Sequence, residues 1–152
     1  MIFHRCGKNV KDYSLRKITA PFMLIDTHAH LNETVFEEKI EAVMGRAKKA
    51  LIDACIVPAY DFNSLARTET LALNNPGFIL PAFGIHPWFV DEHDDVKALK
   101  TYFERGDAVA VGEIGLDFGV GFNNKERQTQ VFIAQLDLSM EYQLPVIIHC
   151  RK

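Results

Sequence analysis

Cysteine is scarce in this chain: Cys6, Cys55 and Cys150 are the full set, without the spacing of a zinc-binding pair and with one necessarily left over. That excludes a disulfide scaffold and points to a reducing cytosol, so a cytoplasmic location is expected. Cys55, inside Ala54-Cys55-Ile56-Val57, reads as a small buried hydrophobe. Serine is equally thin. Ser14, Ser64 and Ser139 lie in no nucleophile elbow and at no strand end, which removes an activated-serine mechanism. No apolar run approaches the roughly 20 residues of a membrane span, so no membrane partner is expected. A net charge of −3 gives no general attraction to nucleic acid or anionic lipid. Any DNA contact must then be local, through a metal site and a few basic residues. Along the sequence, no aromatic–basic interleaving marks a single-strand binding platform. The glycines from Gly115 to Gly121 lack phosphate-loop spacing and suit a tight loop instead.

What is present fits one globular domain: 152 residues, 48% hydrophobic and 24% charged. Residues 1–22 stand apart, with five Lys/Arg against Asp12 alone. They read as a disordered N-terminal extension, or as sequence ahead of a working start at Met23, with a transit peptide as the alternative. From Phe22 strand and helix alternate. Strands are expected at Phe22–Asp26, Ala54–Pro58, Phe78–Gly84, Ala108–Gly112 and Pro145–His149. Helices are expected at Glu33–Leu51, Asp61–Asn74, Asp91–Glu104 and Lys125–Tyr142, the last with a stripe of Phe132, Leu136 and Met140. Repeated βα units require parallel strands with helical crossovers, leaving a doubly wound sheet or part of a barrel.

Ionisable ligands cluster where those strands end, which favours the barrel. His28 and His30 are two apart, so in an extended segment they share a face and can grip one ion. Asp26 has the same parity and could orient a ring. Glu113 follows a wholly apolar run, where a lone carboxylate is costly unless paired or metal-bound. His149 ends another such run, and parity turns Cys150 away from it. Each has a plain alternative: solvated histidines, a Glu113–Arg151 ion pair, a core histidine bonded to a carbonyl. Jointly they favour metal. His86, before Pro87 and Trp88, reads as a substrate contact rather than a ligand.

The stretches Ile25–Leu31, Gly84–Pro87, Val111–Asp117 and Pro145–Arg151, with Glu126-Arg127-Gln128 through Phe132 and Gln135, resemble the TatD family of metal-dependent hydrolases, often described as deoxyribonucleases. The resemblance covers residues 23–152. It implies an α/β fold of the TIM-barrel-like (β/α)8 kind, here stopping after about five βα strands. It also implies two divalent ions (Mg2+, Mn2+ or Zn2+), with His28 and His30 on one, Glu113 bridging as the catalytic carboxylate, and His149 on the second. DNA is the implied substrate, with Arg151 as a candidate phosphate contact. The family's later histidine and aspartate lie beyond the sequence. Two rival expectations follow: hydrolysis of a small ester, lactone or amide, or an inactive fragment. An open half barrel would favour self-association or pairing with a separate C-terminal portion.

Overall fold

The structure, a computed structural model, describes residues 24–90, 95–119 and 124–151; the expectation for residues 1–22 lies outside them. Five strands, β1 (Leu24–Asp26), β2 (Ile52–Pro58), β3 (Ile79–Phe83), β4 (Ala110–Gly115) and β5 (Val146–His149), form one parallel sheet in the order β1-β2-β3-β4-β5. A doubly wound sheet reverses its order at a switch point. This order never reverses, and the sheet curls into a half-barrel.

Among the described residues, four helices cover its outside: α1 (Ile40–Lys49), α2 (Phe62–Asn74), α3 (Lys100–Phe103) and α4 (Lys125–Glu141). The start of α2 follows from sequence. The Asp61 carboxylate accepts from the Ser64 N–H at 2.6 Å, and the Ser64 hydroxyl accepts from the Asp61 N–H at 2.9 Å, a reciprocal cap. Gly77, with φ +80°, turns the chain back into β3. The expected helix over Glu33–Leu51 is instead a 3₁₀ turn at Thr34–Phe36 followed by α1. Buried Asn32 anchors the entry by donating to Pro58 O and Thr68 Oγ1, and Leu51 ends the helix in a left-handed conformation, φ 65°. The helix expected over Asp91–Glu104 shrinks to a 3₁₀ turn, Val96–Leu99, and α3; residues 91–94 lie outside the described ones.

Two apolar clusters form the core. One joins Leu65, Phe83, Leu99, Val111, Ile114 and Val131; the other joins Met44, Cys55, Val57 and Ile79. Of the stripe expected on α4, Phe132 and Leu136 pack partly buried against the first cluster, while Met140 is 69% exposed; the helix's fully buried residues are Gln128, Val131, Gln135, Leu138 and Ser139. Two buried glutamines thus occupy the face that apolar periodicity would assign elsewhere.

Those glutamines hold the sheet's mouth in place. Gln135 accepts from the Ile85 N–H at 2.7 Å and donates to Ile85 O at 3.2 Å. Gln128 accepts from the Asp117 N–H at 2.9 Å and donates to Asp117 O at 3.0 Å. One helix thereby clamps the loops that follow β3 and β4. Close backbone approach does the rest. A Cβ on Gly84 would lie 2.8 Å from the Gly112 backbone, and one on Gly112 would lie 2.7 Å from Ile147 Cβ. Only glycine lets β3, β4 and β5 converge there.

Candidate metal centre

β1 ends at Asp26, so His28 and His30 sit in the loop beyond it rather than in a strand. Their shared face survives because the intervening Ala29 N–H still donates to Ile56 O of β2 at 3.0 Å, continuing the ladder. Asp26 takes the His28 backbone N–H at 3.1 Å and steadies the loop through the main chain. The two imidazoles meet edge to face, with Nε2 atoms 3.1 Å apart.

Glu113 lies inside β4, whose six residues are all buried, rather than just after it. The β4–β5 register shifts between Val111 and Ile114, and this irregularity re-aims the residue between them. The Glu113 N–H leaves the ladder to donate to Ala59 O at 3.0 Å. Its carboxylate then faces two ways. Oε2 lies 3.1 Å from His28 Nε2 and 3.4 Å from His30 Nε2; Oε1 lies 3.3 Å from His149 Nδ1 and 3.8 Å from His86 Nε2. Burial alone would raise this carboxyl. The hydrogen bonds with His28 and His30, with the charges of His28 and His86, outweigh it and hold the group well below the usual carboxylate range. The same contact with Glu113 raises His28 against its partial burial.

His149 is held at both ends. Its Nε2 lies 3.1 Å from Asp117 Oδ2, and an ionised carboxylate only accepts, so Nε2 carries the proton. Nδ1 faces the Glu113 carboxylate at 3.3 Å in the same way, so the ring is gripped between two carboxylates, and a metal ion at Nδ1 would take the place of the proton shared there while Asp117 keeps the ring oriented. Asp117, 6% exposed, gathers further donors: the Trp88 indole N–H at 2.7 Å, the Gly119 N–H at 3.0 Å and Arg151 Nη2 at 2.8 Å. The Trp88 hydrogen bond, opposed by burial and aided by His149, Gly119 and Arg151, holds its carboxyl well below the ordinary range. Arg151 therefore reaches Asp117 rather than Glu113, and lies over the Trp88 ring.

His86 stands differently. Its Nδ1 accepts from the Trp88 backbone N–H at 3.1 Å, so in the neutral ring Nε2 bears the proton. A nitrogen that donates has no lone pair for an ion. Burial, against the pull of Glu113, lowers its pKa to about 4, so the ring is neutral at pH 7.

The donor set suits divalent cations. His28 Nε2, His30 Nε2 and Glu113 Oε2 form a triangle of 3.1, 3.1 and 3.4 Å. Ligands around one ion at usual bond lengths stand about 3.0–3.4 Å apart. His30 Nδ1 is buried without a hydrogen-bond partner among the described residues, which leaves Nε2 as the nitrogen its surroundings engage. On the other side of the carboxylate, Glu113 Oε1, His149 and His86 bring ligand atoms together in a second group, in which His86 Nε2 would offer a lone pair only if Nδ1 gave up the Trp88 N–H.

Sequence reasoning assigned no role to Asp117, Gln128 or Gln135 in building this centre. Asp117 carried a readable signal, because it shares strand parity with Glu113 and Gly115. The glutamines stood out only as part of the stretch that resembles the family, since by pattern alone buried clamps look like surface polar residues in a helix.

Residues 25–152 match the family described as TatD related DNase. An "uncharacterized metal-dependent hydrolase YjjV" from Escherichia coli K12 is 40% identical over 132 residues, covering 84% of this chain and 51% of that protein. A "3'-5' ssDNA/RNA exonuclease TatD" from Erwinia billingiae is 33% identical over 130 residues, covering 84% and 50%. The crystal structure of the E. coli protein superposes with a TM-score of 0.78 at 38% identity, covering 85% of this chain and 51% of that one. A TatD family hydrolase from Entamoeba histolytica, 24% identical with a TM-score of 0.74, shares the fold. The chain spans about half the length of the curated relatives it matches. On motif order, half-barrel topology and this breadth of match, the chain belongs to the TatD-related DNase family.

Proposed function

We propose that these residues form the metal-holding part of an active site that hydrolyses phosphodiester bonds in DNA, with two divalent ions drawn from Mg2+, Mn2+ or Zn2+. The observation that carries the proposal is the split Glu113 carboxylate, one oxygen turned to the His28–His30 pair and the other to His149. His28, His30 and Glu113 would hold one ion, and Glu113 and His149 the other. Bound there, the ions supply Lewis acidity: they neutralise charge on a phosphate and acidify water, giving a nucleophile near neutral pH.

The chain's own groups do the positioning. Glu113, ionised and buried, fixes the separation of the two donor sets. Asp117 holds the His149 ring by its Nε2 and so keeps Nδ1 turned inward toward Glu113. His86 presents an N–H that lies 3.8 Å from Glu113, beyond hydrogen-bond reach, and so is available to a substrate oxygen. Arg151, 47% exposed on its side chain and held by one nitrogen at Asp117, keeps further donors for a phosphate. A relative named for ssDNA/RNA exonuclease activity supports the substrate class. Leu24, Ile25 and Ile148, exposed at the two edge strands, support association of the chain through those edges, which a concentration series in sedimentation velocity tests.

The test is cleavage of an end-labelled oligonucleotide with added Mg2+, Mn2+ or Zn2+ against a chelator control. Cleavage should require metal and be abolished in Glu113→Gln. Metal-dependent cleavage that survives that substitution refutes the proposal.

A further inference from the structure

Aromatic and basic residues scattered along the sequence meet around the metal centre. Trp88 and Phe89 sit on the 3₁₀ turn Pro87–Phe89 that follows β3, and Phe118 follows Asp117 in the loop after β4. Each is nearly half exposed, at 46%, 45% and 46%. Single exposed aromatics are ordinary. Trp88 and Phe89 touch histidines of one polar centre and Phe118 follows Asp117, which bonds His149, yet each leaves apolar ring surface in water that burial in the adjoining core would remove.

Their placement is ordered. A chain of ring contacts runs from His30 to Tyr60 (5.6 Å between centroids), to Phe89 (5.2 Å), to His86 (6.0 Å), to Trp88 (5.1 Å) and to His149 (5.8 Å). Trp88 is locked by its indole bond to Asp117. The Arg151 guanidinium lies 5.7 Å from the Trp88 centroid and Lys125 Nζ 5.4 Å from that of Phe118. Aromatic faces paired with cations next to a phosphate-binding centre are the parts of a stacking platform for nucleobases. Linear reading missed it because the fold alone brings Arg151 to Trp88 and Lys125 to Phe118.

We infer that Trp88, Phe89 and Phe118 form a nucleobase-stacking platform, flanked by Arg151 and Lys125, that receives unpaired bases of the strand whose phosphate lies at the metal centre. The inference rests on the phosphodiester reading above and adds what that reading leaves open: which residues hold the bases, and that bases as well as phosphates determine affinity. In a duplex the bases are stacked on each other and their faces are unavailable, so paired strands are poor ligands for the platform. Stacking is sequence-tolerant, since every base has a π-face.

The chain provides its own reporter. Trp88 is the sole tryptophan, so its fluorescence reads the platform directly. The full chain, in chelator so that nothing is cleaved, is titrated with a single-stranded 16-mer, an abasic 16-mer of equal phosphate count and a hairpin duplex. The base-bearing single strand should quench Trp88 saturably, with the abasic strand and the duplex at least about tenfold weaker. Phe89→Ala and Phe118→Ala should each weaken the base-bearing strand about tenfold and leave the abasic strand unchanged. Equal binding of base-bearing and abasic strands, no saturable quenching, or full affinity in both variants overturns the inference. Failure here with intact metal-dependent cleavage removes only the platform. Quenching without Glu113-dependent cleavage removes only the hydrolytic reading.

Discussion

Replacing Gln135 by methionine, which is similar in shape, removes one of the two clamps that α4 places on the sheet's mouth. Gln135 is fully buried and Ile85 is 1% exposed, so water cannot replace the lost partners. The Ile85 N–H and C=O both go unpaired. A buried polar group without a partner costs about 1–3 kcal/mol, or about 2–6 for the two. Methionine recovers part of this because no amide is buried any longer, leaving a net loss of about 3 kcal/mol. Against a typical total of about 5–15 kcal/mol that is a large fraction. With a urea m-value of about 2 kcal/mol/M, the unfolding midpoint should fall by about 1.5 M. Ile133→Gln, on the same helix at a 53% exposed position, is the control and should move it little. A fall of less than about 0.3 M in Gln135→Met would refute the clamp as a structural element.

Gly84→Ala places a Cβ 2.8 Å from the Gly112 backbone, so urea unfolding should show a loss of about 1–3 kcal/mol. Asp117→Asn should weaken Mn2+ binding by about 10–100-fold in calorimetric titration, since the amide removes the charge and one of the two acceptor oxygens that Trp88, His149, Gly119 and Arg151 share. Acid should destabilise the metal-free chain through His86, whose pKa burial lowers from 6.5 to about 4. The unfolded chain takes up a proton there that the folded one refuses, so stability is whole above pH 6.5 and is lost as pH falls toward 4, by about 3 kcal/mol. His28, raised chiefly by its hydrogen bond to Glu113, works the other way, its contribution being lost as pH rises. Comparing stability–pH curves with His86→Gln isolates the first effect, which that variant should lack.

Much of this architecture was legible because parallel strands covered by helices read as apolar runs. Residues 54–58, 110–112 and 146–148 stand out for that reason, although Ile148 is 49% exposed, and Glu113 and His149 are conspicuous as the ionisable groups beside them. The boundaries slipped where local geometry outranked pattern. β4 runs on through Glu113 because its ladder is irregular there, and α1 starts late because Asn32 pins the chain first. Periodicity found Phe132 and Leu136 on the inner side of α4 but not the centre of that face, since Gln128 and Gln135 satisfy backbone groups instead of filling apolar space. Asp117 was visible as a residue but not as a partner. Its four contacts come from Trp88, Gly119, His149 and Arg151, and three of these lie far away in sequence.

The account turns on Glu113 joining two sets of donors. Mn2+ titration of the full chain followed by electron paramagnetic resonance reads this directly, since two ions sharing a carboxylate couple magnetically. The account predicts two ions per chain with a coupled spectrum, and loss of that coupling with at least about tenfold weaker binding in Glu113→Gln. The same stoichiometry, affinity and spectrum in both proteins would contradict it.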